Sequence, residues 1–157
     1  MSIFCTLHGK SLKQSSLLLL CVCAFACTVV RGNACAESLT VKVTGLHGTV
    51  GNLQVMVWKG PEGFPTDPQK AVAHKVVPVS SQHMEVTFTG LARGSYAVAA
   101  YHDVNGNGKL DRSLLGWPVE PVGASNGATG VMGPPKFKDA VFELQPSSNQ
   151  AIGVTLK

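Results

Sequence analysis

Beyond residue 36, apolar side chains recur at every second position. Leu39, Val41 and Val43 alternate with Thr40 and Lys42. Leu53, Val55 and Val57 alternate with Gln54 and Met56, and Met84, Val86 and Phe88 with Glu85 and Thr87. Near the end, Ile152, Val154 and Leu156 alternate with Gly153 and Thr155. A period of two turns one side of an extended chain into a core and the other toward water; a helix does not produce it. Residues 72–79 and 96–102 are apolar on both faces and are expected as central strands. Pro78 has no N–H to give a ladder, so it demotes the end of the first of these to an edge. A seventh short strand is expected over residues 141–144. No stretch carries the pattern of a useful amphipathic helix, and residues 136–140 suit a single turn.

Glycine and proline clusters separate these runs, at Gly45 and Gly48, at Gly60-Pro61-Glu62-Gly63, and at Gly90 and Gly94. Short strands with turns between them predict an all-β, immunoglobulin-like or prealbumin-like sandwich of about seven strands. The Gly/Pro-rich stretch 116–135 fits this picture least well. Connections of that length are usually functional or unstructured.

The first 36 residues are of another kind. Lys10 and Lys13 precede an unbroken apolar run from Leu17 to Val30, polar Arg31, Gly32 and Asn33 follow, and Ala34-Cys35-Ala36 offers small residues for cleavage. This is the order of a secretory signal peptide, and the run is shorter than the roughly 18 residues that span a bilayer. Residues 1–36 are therefore expected to be a signal peptide cut after Ala36, and 37–157 a domain delivered to the periplasm or secreted. Cys5, Cys21, Cys23, Cys27 and Cys35 all fall at or before the cut, so the domain carries no disulfide, cysteine nucleophile or thiolate metal site. A retained membrane anchor is one alternative; lipidation of Cys27 or Cys35 is the other, disfavoured because Gly32-Asn33-Ala34 lacks the usual leucine-like residue and Cys27 lies inside the apolar run.

Removing the leader also removes Lys10, Lys13 and Arg31 from the 13 Lys and Arg, leaving ten against nine Asp and Glu, a net charge of +1. Neither a basic patch for nucleic acid nor a charged tail is visible, and the mature chain holds no transmembrane segment.

The stretch with the most distinctive chemistry begins at His102. Asp103, Asn105, Asn107 and Asp111 place oxygen-bearing side chains at alternate positions, with Gly106 and Gly108 between them. Calcium takes six to eight oxygens, and such a loop can wrap them inward with the Lys109 carbonyl adding a backbone ligand. The first, third, fifth and sixth positions match the helix-flanked calcium loop. Leu114 stands at the twelfth, where a bidentate Glu belongs, so the motif is incomplete. The other reading is a set of Asx turns, in which Asp and Asn bond their own backbone and no metal is held. Both readings stay open at this level.

Other candidates are weaker. His102, Asp103 and Ser125 supply the residue types of a triad, but no nucleophile elbow surrounds Ser125, and neighbours on a strand point to opposite faces. His102 continues the phase of Tyr96, Val98 and Ala100, which places it at the end of a core-facing row. His47, His74 and His83 lack zinc-site spacing. Glu120, stiffened by Pro118 and Pro121, is expected in a salt bridge or loop hydrogen bond. Trp58 and Trp117 are expected to close the ends of the core.

Gly90-Leu91-Ala92-Arg93-Gly94-Ser95-Tyr96 resembles the hairpin preceding a strand in prealbumin-like and collagen-adhesin B-type sandwiches. A fuller pattern runs from His102-Asp103 to Asp111, through Gly116-Trp117-Pro118-Val119-Glu120, Gly123 and Ser125-Asn126, to Pro134-Pro135-Lys136-Phe137 and Val141-Phe142. It resembles a family of short exported bacterial proteins of unknown function. The resemblance runs from Leu39 to Leu156, implies an exported β-sandwich, and brings no catalytic residues with it. The expected function is a non-catalytic binding or accessory module for an unspecified ligand or protein partner, with calcium as its one candidate cofactor. The alternatives are a small hydrolase or transferase using the 102–135 loops, and a structural envelope protein.

Overall fold

The computed structural model describes residues 37–145 and 149–157. The expected leader, its cut after Ala36 and all five cysteines lie outside the described residues. Among the described residues eight strands form: β1 (Glu37–Thr44), β2 (Asn52–Trp58), β3 (Ala73–Pro78), β4 (Met84–Leu91), β5 (Gly94–Asp103), β6 (Val122–Ala124), β7 (Phe142–Leu144) and β8 (Asn149–Thr155). One short helical turn, α1 (Phe137–Ala140), precedes β7.

One sheet has the order β4-β1-β8, in which β1 pairs antiparallel with β4 and parallel with β8. The other has the order β3-β2-β5-β6, and β5 also pairs with β7. At ten residues β5 is the longest strand, so one edge serves β2 over residues 97–103 while the other serves β7 near its start and β6 further along. The all-β sandwich expected from the alternation is the fold observed.

The alternating rows meet between the sheets. Leu39, Val41 and Val43 of β1, with Val86 and Phe88 of β4, pack against Leu53, Val55 and Val57 of β2 and against Tyr96 and Val98 of β5. All are essentially removed from solvent. Full burial of a side chain of this size contributes about 1.5–3 kcal/mol, so this shared core is the main support of the fold.

β2 is buried on its outer face as well. Trp58 is 0% exposed and donates from Nε1 to the Asp67 carbonyl at 3.3 Å. Phe64 meets it edge-on at 5.3 Å and in turn meets Phe137 of α1 at 5.8 Å. The 59–72 segment and α1 therefore cover part of the outer face of the five-stranded sheet.

Two expectations need correction. Residues 72–79 are not a central strand: β3 forms the sheet edge and Val76 is 50% exposed, because only β2 pairs with it. An apolar run thus marked β propensity rather than burial. The 116–135 stretch is not wholly irregular, since it contributes β6. Gly123 is required there because a Cβ would lie 2.4 Å from the Thr155 carbonyl oxygen. Beside it, Val122 and Lys157 exchange two backbone hydrogen bonds, at 3.1 and 3.0 Å, joining β6 to the chain just after β8.

Candidate functional site: a loop and the groove beside it

Strand β5 sends alternate residues to opposite faces. Tyr96, Val98, Ala100 and His102 face the core; Ala97, Ala99, Tyr101 and Asp103 face outward beneath the covering loops. The outward row ends at Asp103, which is 0% exposed. Its Oδ1 accepts from the Asn107 amide at 3.0 Å, and its Oδ2 from the Gly108 amide at 2.8 Å and Gln54 Nε2 at 3.4 Å. Gln54 is held in turn by His74 at 2.7 Å. Gly51 is needed at a φ of 83°, because a Cβ there would lie 2.2 Å from the Asp103 carbonyl oxygen.

The remaining loop side chains close on one another. Asn105 Oδ1 accepts from the Asn107 amide at 3.0 Å, and Asn107 Oδ1 from the Lys109 amide at 2.7 Å. These are Asx turns in series. Both carboxamides also donate to Asp111, Asn105 at 2.6 Å and Asn107 at 3.0 Å. The structure thus brings Asp103, Asn105, Asn107, Lys109 and Asp111 around one turn. Among the described residues no three His, Cys, Asp or Glu side chains gather as a metal-holding group.

Glu120 closes the loop from outside. It is only 8% exposed, and its carboxylate accepts from the Val104 amide at 2.9 Å and the Asp111 amide at 3.1 Å. One side chain therefore ties the two ends of the loop together, supported by the Val119 amide donating to the Asp111 carbonyl at 3.0 Å. The proline-stiffened carboxylate does make loop hydrogen bonds, as expected. Its two partners lie 16 and nine residues away, and no local pattern announces them.

His102 and Ser125 are not brought to this carboxylate. The His102 ring is buried in the core direction. Its Nδ1 accepts from the His47 amide at 3.2 Å and its Nε2 donates to the Val50 carbonyl at 2.7 Å, which fixes one neutral tautomer. The Ser125 hydroxyl is buried beside Val98, four residues back along β5, or about 13 Å. It accepts from the Val98 amide at 3.0 Å and donates to the Ala140 carbonyl at 2.5 Å.

A groove of about 840 Å³ adjoins the loop on the outer face of the five-stranded sheet. Met56, Ala99, Tyr101 and Val122 form its floor. One wall is the chain from Gly108 to Pro118, the other the chain from Gly127 to Pro135. The long Gly/Pro stretch is therefore a wall as well as a connection. Among the described residues, six of the ten exposed large apolar side chains fall in these walls or beside them: Leu114, Leu115, Trp117, Val119, Val131 and Met132. Trp58 does close the end of a core, but Trp117 does not; it is 54% exposed and lines the groove.

The floor carries one polar group that stays neutral. Burial, with the charges of Asp103 and Glu120 nearby, pushes the Tyr101 phenol up to about 12. Its hydroxyl donates to the Gly108 carbonyl at 3.3 Å, joining the floor to the loop.

No curated protein and no solved structure matches the chain significantly. A family described as "Uncharacterized protein conserved in bacteria (DUF2141)" matches residues 41–152, which include β2 to β7, parts of β1 and β8, the loop and both groove walls. By that match the chain belongs to the DUF2141 family of bacterial proteins.

Proposed function

We propose that this is an exported, non-catalytic binding module of the bacterial envelope that takes a small apolar ligand in the groove on the outer face of its five-stranded sheet. The observation that carries this reading is the groove itself, with its apolar floor and with exposed Leu115, Trp117 and Met132 on its walls. Its volume falls within the range of about 300–1,000 Å³ typical of small-molecule sites. Exposed apolar side chains collected around one concavity are a usual mark of a binding surface. The absence of catalysis is supported by the separation of His102, Glu120 and Ser125, each of which is engaged by backbone groups. Export is supported by the order of residues 1–36.

The neutral dye Nile red, which brightens in apolar surroundings, tests the groove. It should bind the purified protein with one site, and Leu115→Asp with Trp117→Ala should abolish that binding without lowering the melting temperature. Equal binding by the variant would refute the groove as the site.

The loop is a proposed calcium site within the same module, supported by the convergence of Asp103, Asn105, Asn107 and Asp111 on one turn. An ion there would displace the two carboxamide donors from Asp111, and the Lys109 carbonyl would complete the set. Two carboxylates give a dissociation constant of about 10⁻⁴–10⁻³ M. At a Kd of ~1 mM, 10 mM calcium stabilises the fold by about 1.4 kcal/mol. Asp111→Ala should remove that gain. A melt indifferent to calcium and chelator would discard the ion.

A further inference from the structure

We infer that the ligand of the groove is a long-chain carboxylate, its alkyl chain on the sheet face and its head group between Lys109 and Arg112. This rests on the groove being a binding site and adds what it selects. The charged side chains that line it are Lys109, Arg112 and Lys157, with no Asp or Glu among the lining residues. Among the described residues, none of these three cations forms an ion pair. The nearby carboxylates are occupied: Asp111 by Asn105 and Asn107, and Glu120 by the Val104 and Asp111 amides. The Arg112 guanidinium spends one donor on the Gly116 carbonyl at 3.0 Å, and its remaining N–H groups suit a bidentate carboxylate. An apolar trough lined by cationic side chains and by no anionic ones complements a molecule that is apolar along its length and anionic at one end.

The chain's length is read by the floor, whose exposed apolar surface rewards each added methylene. Affinity for saturated carboxylates should rise up to about fourfold per methylene until the floor is covered. The head group is read by the wall. Replacing Lys109 and Arg112 together by Gln should weaken carboxylate binding about tenfold, the loss of one charge-assisted hydrogen bond.

The experiment is displacement of Nile red from the purified protein by dodecanoate and hexadecanoate, each below its micelle concentration. Hexadecanol, hexadecyltrimethylammonium and phosphatidylglycerol vesicles serve as comparisons. The expected result is displacement by the carboxylates, stronger for hexadecanoate, at least tenfold weaker for the alcohol and the cation, and weakened in Lys109→Gln/Arg112→Gln. The dye affinity of that variant is measured first, and displacement is scored against it. Lys42→Gln, in the other sheet, should match the parent. If Nile red binds but the carboxylates compete no better than the alcohol or the cation, the ligand assignment is overturned and the groove reading stands. If vesicles displace the dye and free carboxylates do not, a membrane surface replaces the free acid. Failure of Nile red itself to bind would remove both.

Discussion

Glu120→Gln removes one acceptor from a side chain that holds both ends of the 103–111 loop. The carboxylate accepts from Val104 at 2.9 Å and Asp111 at 3.1 Å while 8% exposed. Glutamine keeps the size and one carbonyl oxygen, but its NH₂ must face one of the two amides, so a bond is lost and a donor is left facing a donor. A hydrogen bond to a charged group contributes about 1.5–3 kcal/mol, and that sets the expected cost. Alanine loses both bonds, with some relief from water entering the gap, for a cost of about 3 kcal/mol or more. In a domain of this size each kcal/mol lowers the melting temperature by roughly 4 °C, giving about 6–12 °C for Gln and at least about 12 °C for Ala. Thermal unfolding followed by circular dichroism measures the total. Amide exchange at Val104 and Asp111 shows whether the loop opens first. If the Gln variant melts within about 2 °C of the parent and both amides keep their protection, Glu120 does not hold the loop and the reasoning is refuted.

Two further outcomes follow from the same geometry. The Tyr101 phenol ionises at about 12 when folded against its ordinary value of 10, so its neutral form stabilises the fold fully below pH 10 and that contribution fades as pH climbs toward 12. An absorbance titration at 295 nm should show a tyrosine ionising near 12 that Tyr101→Phe abolishes; loss of no such step in the variant would contradict it. Gly123→Ala should cost about 1–3 kcal/mol, since the new methyl group meets the Thr155 carbonyl at 2.4 Å and pushes β6 from β8. Gly153→Ala, with nothing within 4 Å, is the near-neutral comparison, and equal melting temperatures for the two variants would argue against that contact.

What could be read from the sequence follows the range of the interactions. The rows Leu39-Val41-Val43 and Leu53-Val55-Val57 advertise their inward faces locally, and they are the core. The phase of β5 placed His102 in the core for the same reason. The run 72–79 misled because Val76 and Val77 carry strand propensity whether or not a second neighbour covers them. β6 is three residues long and contains glycine, so it has no periodicity to read; it is held by β5 on one side and by the Lys157 backbone on the other. The groove was hidden for a stronger reason. Its floor comes from β2, β5 and β6, and its walls from two segments that only the sheet brings side by side. The spacing of Asp103, Asn105, Asn107 and Asp111 did show that one turn would gather their oxygens, while Glu120's part as its clasp depended on Val104 and Asp111 being carried to it.

Methyl resonances of methionine report on the groove most directly. Met56 lies on its floor and Met132 on its wall, whereas Met84 belongs to β4 in the other sheet, with its sulfur beside Ser80 and Ser81. With ¹³C-methyl methionine in the protein and Nile red titrated in, the Met56 and Met132 methyl signals should shift together and saturate at one equivalent while Met84 stays fixed. Movement of Met84 with Met56 and Met132 unchanged would place the ligand elsewhere and contradict the account.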